Sequence, residues 1–155
     1  PLRLWRKFQD LKIKFKQLYM DWARRAAQLS PARRLNVGAV IVKDDTVISY
    51  GYNGMPAGWD NNCEDELKWP NGDIQFLTTK PEVLHAESNA IAKLAKSTNS
   101  GLNADLFVTH SPCMECAKLI FQSGIRRVFY AEDYRDDSGI QFLNKSGVTV
   151  EKLDV

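Results

Sequence analysis

The amino-acid sequence predicts an α/β fold, and three features of its hydrophobic pattern indicate this class. Apolar residues recur every three or four positions over residues 4–29, which predicts a long amphipathic helix. Two β-branched runs, Val37 to Lys43 and Thr46 to Tyr52, flank Asp44-Asp45 and predict a β-hairpin. Beyond residue 85, helical and strand patterns alternate, as is typical of α/β proteins.

The remaining boundaries follow from the same periodicities and from helix-ending residues. Ser30-Pro31 ends the first helix. Gly51 to Gly58 carries three glycines and a proline and predicts a tight, irregular loop. Residues 60–81 show no clear period, so we expect a long loop there, which in a compact domain is usually functional or mobile. The elements predicted after it are a helix at Ala86 to Lys96, a strand at Asp105 to Thr109, a helix at Cys113 to Ser123, a strand at Arg126 to Ala131, a helix at Gly139 to Ser146 and a strand at Val148 to Lys152.

Length and composition place the chain among globular proteins. Its 155 residues, 44% of them hydrophobic, predict one domain spanning residues 1–155. No apolar run approaches the roughly 20 residues that span a bilayer, and three cysteines make no disulfide framework. We therefore expect a soluble cytoplasmic protein without a membrane partner.

Positive charge is concentrated in the first part of the chain. The net charge is +2, yet residues 1–34 hold ten Lys or Arg against Asp10 and Asp21. Such a face is either a phosphate or nucleic-acid patch or an ordinary solvated helix surface. We favour the solvated surface.

Two short segments supply the chemistry, His85-Ala86-Glu87 and Pro112-Cys113-Met114-Glu115-Cys116. The His85 nitrogen and the Cys113 and Cys116 thiolates would fill three positions of a tetrahedral zinc ion and leave the fourth open, as in catalytic zinc sites. Zinc lowers the pKa of a bound water from about 15.7 towards about 7. Glu87 lies close enough to carry the proton without ligating the metal. The sequence thus predicts one catalytic Zn²⁺ per subunit.

Both segments open predicted helices, and that placement suits metal-binding thiols. A helix N-terminus offers unpaired N–H groups and about half a positive charge, which stabilise a thiolate. The 28-residue offset from His85 to Cys113 leaves room for a helix, a loop and a strand, so one βαβ-like step would bring the helix starts together. We expect Cys63 to be a free thiol. We favour His110 as a polar strand-end residue over a supporting group of the metal site.

The H-x-E and P-C-x-x-C pair is the known signature of zinc-dependent nucleobase deaminases. The sequence also carries VGAVIV at residues 37–42, GYNGMP at 51–56, HAESNAI at 85–91 and SPCMECAKLIFQSGI at 111–125. With these motifs it resembles the deoxycytidylate deaminases of the zinc-dependent cytidine deaminase superfamily. The resemblance implies a three-layer α-β-α sandwich around a mixed five-stranded sheet, and hydrolysis of dCMP to dUMP and ammonia for thymidylate synthesis.

The resemblance also assigns substrate contacts. The Ala86 N–H would meet the pyrimidine O2, the Ser111 carbonyl would accept from the amino group, and Asn53 would contact the sugar hydroxyl. Tyr130 or Tyr134 would pack near the base or the phosphate. A cation must bind the 5′ phosphate, for which a bidentate arginine is best suited. The sequence leaves six candidates open: Arg24, Arg25, Arg33, Arg34, Lys96 and Lys118.

Regulation is a further implication of the resemblance. Many relatives are hexamers activated by dCTP and inhibited by dTTP, with Gly51, Tyr52, Asn53 and Gly54 as the candidate effector loop. Mg²⁺ accompanying the triphosphate is part of this expectation. Two alternatives remain open at this stage: a deaminase acting on single-stranded nucleic acid, suggested by the basic first helix, and a non-enzymatic module stabilised by structural zinc. We favour a small-molecule enzyme without a nucleic-acid partner.

Overall fold

A mixed five-stranded sheet forms the centre of the fold in the computed structural model, which describes residues 10–155. Strand β1 (Gly38–Lys43) pairs antiparallel with both of its neighbours. The two remaining pairs are parallel: β5 (Asp105–His110) with β6 (Arg127–Glu132), and β6 with β7 (Thr149–Lys152). The sheet is therefore mixed, as the resemblance implies. Its strands in spatial order are β2 (Thr46–Tyr52), β1 (Gly38–Lys43), β5 (Asp105–His110), β6 (Arg127–Glu132) and β7 (Thr149–Lys152).

Helices cover both faces of this sheet. Because side chains alternate along a strand, Val40 and Val42 face helix α1 (Ile13–Ala27), while Ile41 faces the opposite layer. That layer contains three helices, and the predicted α-β-α sandwich is confirmed. The three helices are α2 (Ala86–Ala95), α3 (Met114–Gln122) and α4 (Ser138–Lys145).

The predicted hairpin between β1 and β2 is confirmed together with its turn. Asp44 and Asp45 have φ angles of 51° and 59°. Two successive left-handed residues are the geometry of the tight turns that match the twist of a hairpin. Aspartate tolerates this region better than most residues. The elements predicted after residue 85 are also confirmed, with each boundary within one residue of its predicted position.

The first helix is shorter than predicted, and only part of its predicted apolar face is buried. The described part begins at Ile13 rather than continuing from residue 4, and residues 1–9 lie outside the described range. Three residues expected to contribute to its apolar face are about half exposed, namely Leu18, Trp22 and Leu29.

Close packing explains which face of α1 is buried. A Cβ added to Gly38 would lie 2.0 Å from the Ala23 carbonyl oxygen, so the helix backbone lies directly on β1. Large side chains cannot occupy such a contact. Ala23 and Ala27 therefore lie over Gly38, while Tyr19 and Met20 complete the buried face of the helix.

The prediction of a loop over residues 60–81 is wrong. This segment contains a second hairpin, formed by β3 (Glu64–Lys68) and β4 (Ile74–Thr79). Apart from Glu64, no side chain in these two strands is fully buried. Apolar and polar residues alternate in strands that have one buried face. Neither β3 nor β4 has such a face, so the sequence shows no period of two there. Within residues 10–155, no helix has both the length and the apolar character needed to cross a membrane.

Candidate active site

Three potential metal ligands meet where two helices begin. His85 immediately precedes α2 and Cys113 immediately precedes α3, and neither side chain caps its own helix. His85 Nδ1 lies 3.5 Å from Cys113 Sγ and 3.3 Å from Cys116 Sγ. Ordinary Zn–N and Zn–S bonds at tetrahedral angles place such atoms about 3.6 Å apart. The donor set therefore fits zinc in both chemistry and spacing.

The electrostatics of this His85-Cys113-Cys116 group favour a bound cation. Hydrogen bonding with Cys116 and His85 lowers the pKa of the Cys113 thiol to about 4. The same contact with Cys113, reinforced by burial, raises the pKa of Cys116. The hydrogen bond to Cys113 also raises the pKa of His85. Negative charge is thus concentrated on the Cys113 sulfur, and a metal ion would replace the protons that the three residues share.

Glu87 lies beside this group without belonging to it. It occupies the first turn of α2 and is 5% exposed. Burial raises the pKa of its carboxyl group, while the neighbouring His85 acts in the opposite direction. A buried carboxyl group with a raised pKa is suited to take up and return a proton during a reaction. A closed structural zinc site has no use for such a residue.

A single cleft joins these residues to most of the predicted substrate contacts. The predicted residues that line it are Asn53, His85, Ala86, Glu87, Ser111, Cys113 and Tyr134. Four further residues line it without having been predicted as substrate contacts: Val37, Thr79, Val83 and His110. Thr79 and Val83 escaped detection because they lie in or just after the hairpin that the sequence does not reveal.

The two candidate tyrosines have different positions. The Tyr134 N–H donates to Ser111 Oγ at 2.7 Å, which holds the residue at the cleft. Tyr130 is 9% exposed and packs in the core between the sheet and helices α2 to α4. Of the pair, therefore, Tyr134 is available to a substrate and Tyr130 is not.

Asn53 has a structural task in addition to its place in the cleft. Its Oδ1 accepts from the Val37 N–H at 2.9 Å, and its Nδ2 donates to the Leu35 carbonyl at 2.7 Å. It thereby fixes the chain that leads into β1. One lone pair and one N–H of the side-chain amide remain for a ligand.

The candidate effector loop rests against the start of α2. A Cβ added to Gly51 would lie 2.2 Å from the Ala86 carbonyl oxygen, so only glycine allows this contact. Gly54 and Leu84 exchange two backbone hydrogen bonds of 3.1 and 2.8 Å immediately before His85. The loop is therefore connected directly to the segment that carries a metal ligand and Glu87.

Only Arg34 among the six phosphate candidates contacts a residue of the cleft. Its Nη1 donates to Thr79 Oγ1 at 3.0 Å. Lys96 follows the C-terminal end of α2, opposite to the end that carries His85. The other four candidates bond elsewhere: Arg24 to Asp21 and the Val155 carbonyl, Arg25 to Gln28, Arg33 to Glu66 and Lys118 to Glu115.

His110 and Cys63 lie outside the metal group. His110 ends β5, with its Nδ1 3.0 Å from Thr109 Oγ1 and its Nε2 3.3 Å from Glu132 Oε2. This is the polar strand-end position that we predicted. Cys63 is buried beside the second hairpin, and burial raises the pKa of its thiol. Over residues 10–155, the structure gathers one group of potential metal ligands.

Comparison with known proteins identifies the family. Residues 13–132 match the model of the cytidine and deoxycytidylate deaminase zinc-binding region. The chain belongs to this family. The resemblance inferred from the motifs is confirmed, and the His85-Cys113-Cys116 group offers a ligand set that could serve the zinc binding named in the family description.

Relatives and solved structures agree with this assignment. The chain is 39% identical to ComE operon protein 2 of Bacillus subtilis, over 93% of this chain and 74% of that protein. It is 36% identical to the deoxycytidylate deaminase of Homo sapiens, with coverages of 95% and 84%. The crystal structure of dCMP deaminase from cyanophage S-TIM5, in complex with dCMP and dUMP, matches with a TM-score of 0.82 and 41% identity. That match covers 93% of this chain and all of the other.

Proposed function

We propose that this protein is a dCMP deaminase that hydrolyses dCMP to dUMP and ammonia. The observation that carries the proposal is the buried Glu87 carboxylate beside the His85-Cys113-Cys116 group, on the wall of an open cleft. The similarity to deoxycytidylate deaminases, including one crystallised with dCMP and dUMP, supports this choice of substrate.

The chain's own residues supply proton transfer and the metal site. Zinc held by His85, Cys113 and Cys116 would activate a water molecule at neutral pH. Glu87 accepts a proton from the attacking water and delivers protons to N3 of cytosine and to the departing amine. Addition at C4 and loss of ammonia convert the amino-pyrimidine into the uracil base of dUMP.

Backbone and side-chain groups around the cleft orient the base and sugar. We assign the Ala86 N–H to the pyrimidine O2 and the Ser111 carbonyl to the amino group. Asn53 contacts the sugar hydroxyl, and Tyr134 packs against the nucleotide. Support comes from the placement of all four residues on the lining of one cleft, next to Glu87.

Arg34 is our assignment for the 5′ phosphate. Its guanidinium group reaches Thr79 in the cleft lining and bonds there to a neutral hydroxyl, whereas the Arg33 side chain is already paired with a carboxylate. A guanidinium group has five N–H donors in a planar fork, so the bond to Thr79 leaves several for phosphate oxygens. Nucleotides should therefore bind more tightly than nucleosides.

We further propose the regulation typical of the family, in which dCTP activates, dTTP inhibits and Mg²⁺ accompanies the triphosphate. Its support is the contact of Gly51 and Gly54 with the chain around His85, through which a bound effector would act on the site. A hexamer, a cytoplasmic location and a role in supplying dUMP for thymidylate synthesis complete the proposal. A hyperbolic dCMP saturation curve indifferent to both triphosphates would remove the regulatory part, and light scattering tests the hexamer.

The deciding experiment is ammonia release from zinc-loaded protein given dCMP, dCTP, deoxycytidine or a cytosine-containing oligonucleotide. We expect preferential turnover of dCMP. Turnover of the oligonucleotide alone would establish the nucleic-acid alternative. In the described part of the basic first helix, Lys16 pairs with Glu151 and Arg24 with Asp21, which favours a solvated surface there. Absence of turnover with every substrate would revive the structural-zinc interpretation.

A further inference from the structure

A buried carboxylate lies at the base of the second hairpin, outside the metal site. Glu64 is 1% exposed, and its Oε1 accepts from the backbone N–H groups of Arg33 at 2.7 Å and Arg34 at 3.3 Å. Its Oε2 lies 3.5 Å from Arg33 Nε. Burial of a charge is expensive unless the charge is paired and hydrogen-bonded. The contacts of Glu64 concentrate on two consecutive arginines.

The strand register connects Glu64 to the cleft. Glu64 is directly opposite Thr79 in the β3–β4 ladder. Residues in opposite positions of an antiparallel pair present their side chains on the same face, about 5 Å apart. Thr79 Oγ1 accepts from Arg34 Nη1 at 3.0 Å and also lines the cleft. The base of the hairpin therefore holds Arg34 twice, at its main chain through Glu64 and at its side chain through Thr79.

The preceding arginine completes the anchor. Arg33 Nη1 donates to Glu66 at 2.8 Å and its Nη2 donates to Asn62 at 3.3 Å, both on the hairpin side. The charge of Arg33 is thus neutralised away from the cleft, while Arg34 extends towards Thr79. One of the two arginines fastens the loop, and the other presents its guanidinium group at the site.

We propose that Glu64 is a positioning residue for nucleotide recognition: by fixing the main chain at residues 33 and 34, it directs the Arg34 guanidinium group at the 5′ phosphate of the substrate. This inference rests on the proposed function, and specifically on Arg34 as the phosphate ligand. Glu64 itself does not touch the substrate. Its effect should appear in the binding of the phosphate and not in the chemical step.

A double-mutant cycle on the zinc-loaded enzyme tests this coupling. We expect Arg34→Ala to lower kcat/KM for dCMP by about ten- to a hundredfold, the value of a hydrogen bond to a charged group. Glu64→Ala should lower kcat/KM for dCMP by about tenfold, because a small misplacement of a recognition group is costly. The loss should appear as a higher KM, with kcat within about twofold of the native value. The kcat/KM of the double variant should lie within about twofold of that of Arg34→Ala, since the two residues act as one unit.

Three further variants separate positioning from folding. Asp65→Ala removes a carboxylate of the same strand that bonds to Lys80 and not to residues 33 and 34, and should change KM by less than about twofold. Glu64→Met fills a similar volume without an acceptor, and should raise KM as Glu64→Ala does. It takes the place of the alanine variant if that variant does not fold. Glu64→Gln keeps an acceptor oxygen and should restore KM to within about threefold of the native value.

Hydrogen exchange gives a readout independent of turnover. The Arg33 and Arg34 amides should exchange slowly in the native protein and in Glu64→Gln, and faster in the alanine and methionine variants. If Arg34→Ala lowers kcat/KM while the Glu64 variants leave KM unchanged, the positioning inference is overturned and the proposed phosphate ligand stands. If Arg34→Ala has no effect, that ligand assignment fails as well. Multiplicative losses in the double variant would also overturn the inference.

Discussion

The two walls of the cleft are built by different means. The helix-start wall, formed by His85, Glu87 and Cys113, is fixed by α2 and α3, whose apolar faces pack on the central sheet. The hairpin-base wall consists of Thr79, which lines the cleft, with its neighbours Glu64 and Arg34, and is held by hydrogen bonds between an exposed hairpin and a loop. In the proposed mechanism the first wall carries the chemistry, and the second carries recognition of the nucleotide. Damage to the first should abolish turnover, and damage to the second should change affinity.

The largest effect should follow removal of a metal ligand from the helix-start wall. We expect Cys113→Ala to lose both zinc and turnover, because two remaining ligands bind the ion much more weakly than three. Cys63→Ala is the matched control, since Cys63 is also a free thiol but lies outside the metal group. Metal analysis should give one zinc per chain in this control and almost none in Cys113→Ala. Two zinc ions per native chain would contradict the single-site prediction.

Loss of the proton carrier should be nearly as severe but leave the metal in place. We expect Glu87→Ala to lower kcat for dCMP by about a thousandfold, within the range of general acid–base catalysis. Its zinc content should match that of the native protein. Native turnover in the zinc-loaded variant would rule out the mechanism. A variant that loses zinc together with activity would show that Glu87 supports the metal instead.

A smaller effect on stability should follow crowding behind the helix-start wall. Gly51→Ala places a methyl group 2.2 Å from the Ala86 carbonyl oxygen, and we expect it to lower the free energy of unfolding by about 2 kcal/mol. Gly54→Ala is the control, since its nearest neighbour outside the local chain would be 3.5 Å from the added carbon. Urea denaturation of both variants measures the difference, and equal free energies would show that the strand can move away from α2.

The smallest effect should come from the far end of the hairpin. Trp69 is 52% exposed at the turn, about five residues and therefore roughly 16 Å from the base that lines the cleft. We expect Trp69→Ser to leave kcat/KM for dCMP within about twofold. A change as large as that of Arg34→Ala would mean that the whole hairpin, and not only its base, takes part in recognition.

The contrast between the walls also explains what the sequence reveals. The helix-start wall could be predicted almost completely, because its ligands occupy fixed spacings at helix starts and its helices have a buried face that imposes a period. The hairpin-base wall could not. The pairing of Glu64 with Thr79 joins residues 15 positions apart across an exposed turn, and no local pattern encodes it. The sequence does not distinguish Arg34 from five other candidates for the phosphate ligand, whereas the fold places it beside Thr79.

The hydrophobic pattern of the sequence also does not predict which side chains of α1 and β6 pack in the core. The periodicity predicts α1, but alanines occupy the positions of the helix that lie directly on Gly38, and the large side chain of Trp22 is exposed. Hydrophobicity alone predicts the larger residues to be inside. Tyr130 and Tyr134 are the same residue type, four positions apart. Tyr130 lies within β6 and packs in the core, whereas Tyr134 follows β6 and lines the cleft.

The exposed turn of the second hairpin makes this enzyme suitable for division into two chains. A cut between Trp69 and Asp73 would leave α1, β1, β2 and Arg34 on one fragment. Every zinc ligand and Glu87 would be on the other. Four antiparallel residue pairs between β1 and β5 would hold the fragments together at the centre of the sheet. Deaminase activity regained on mixing the two fragments would therefore report their association.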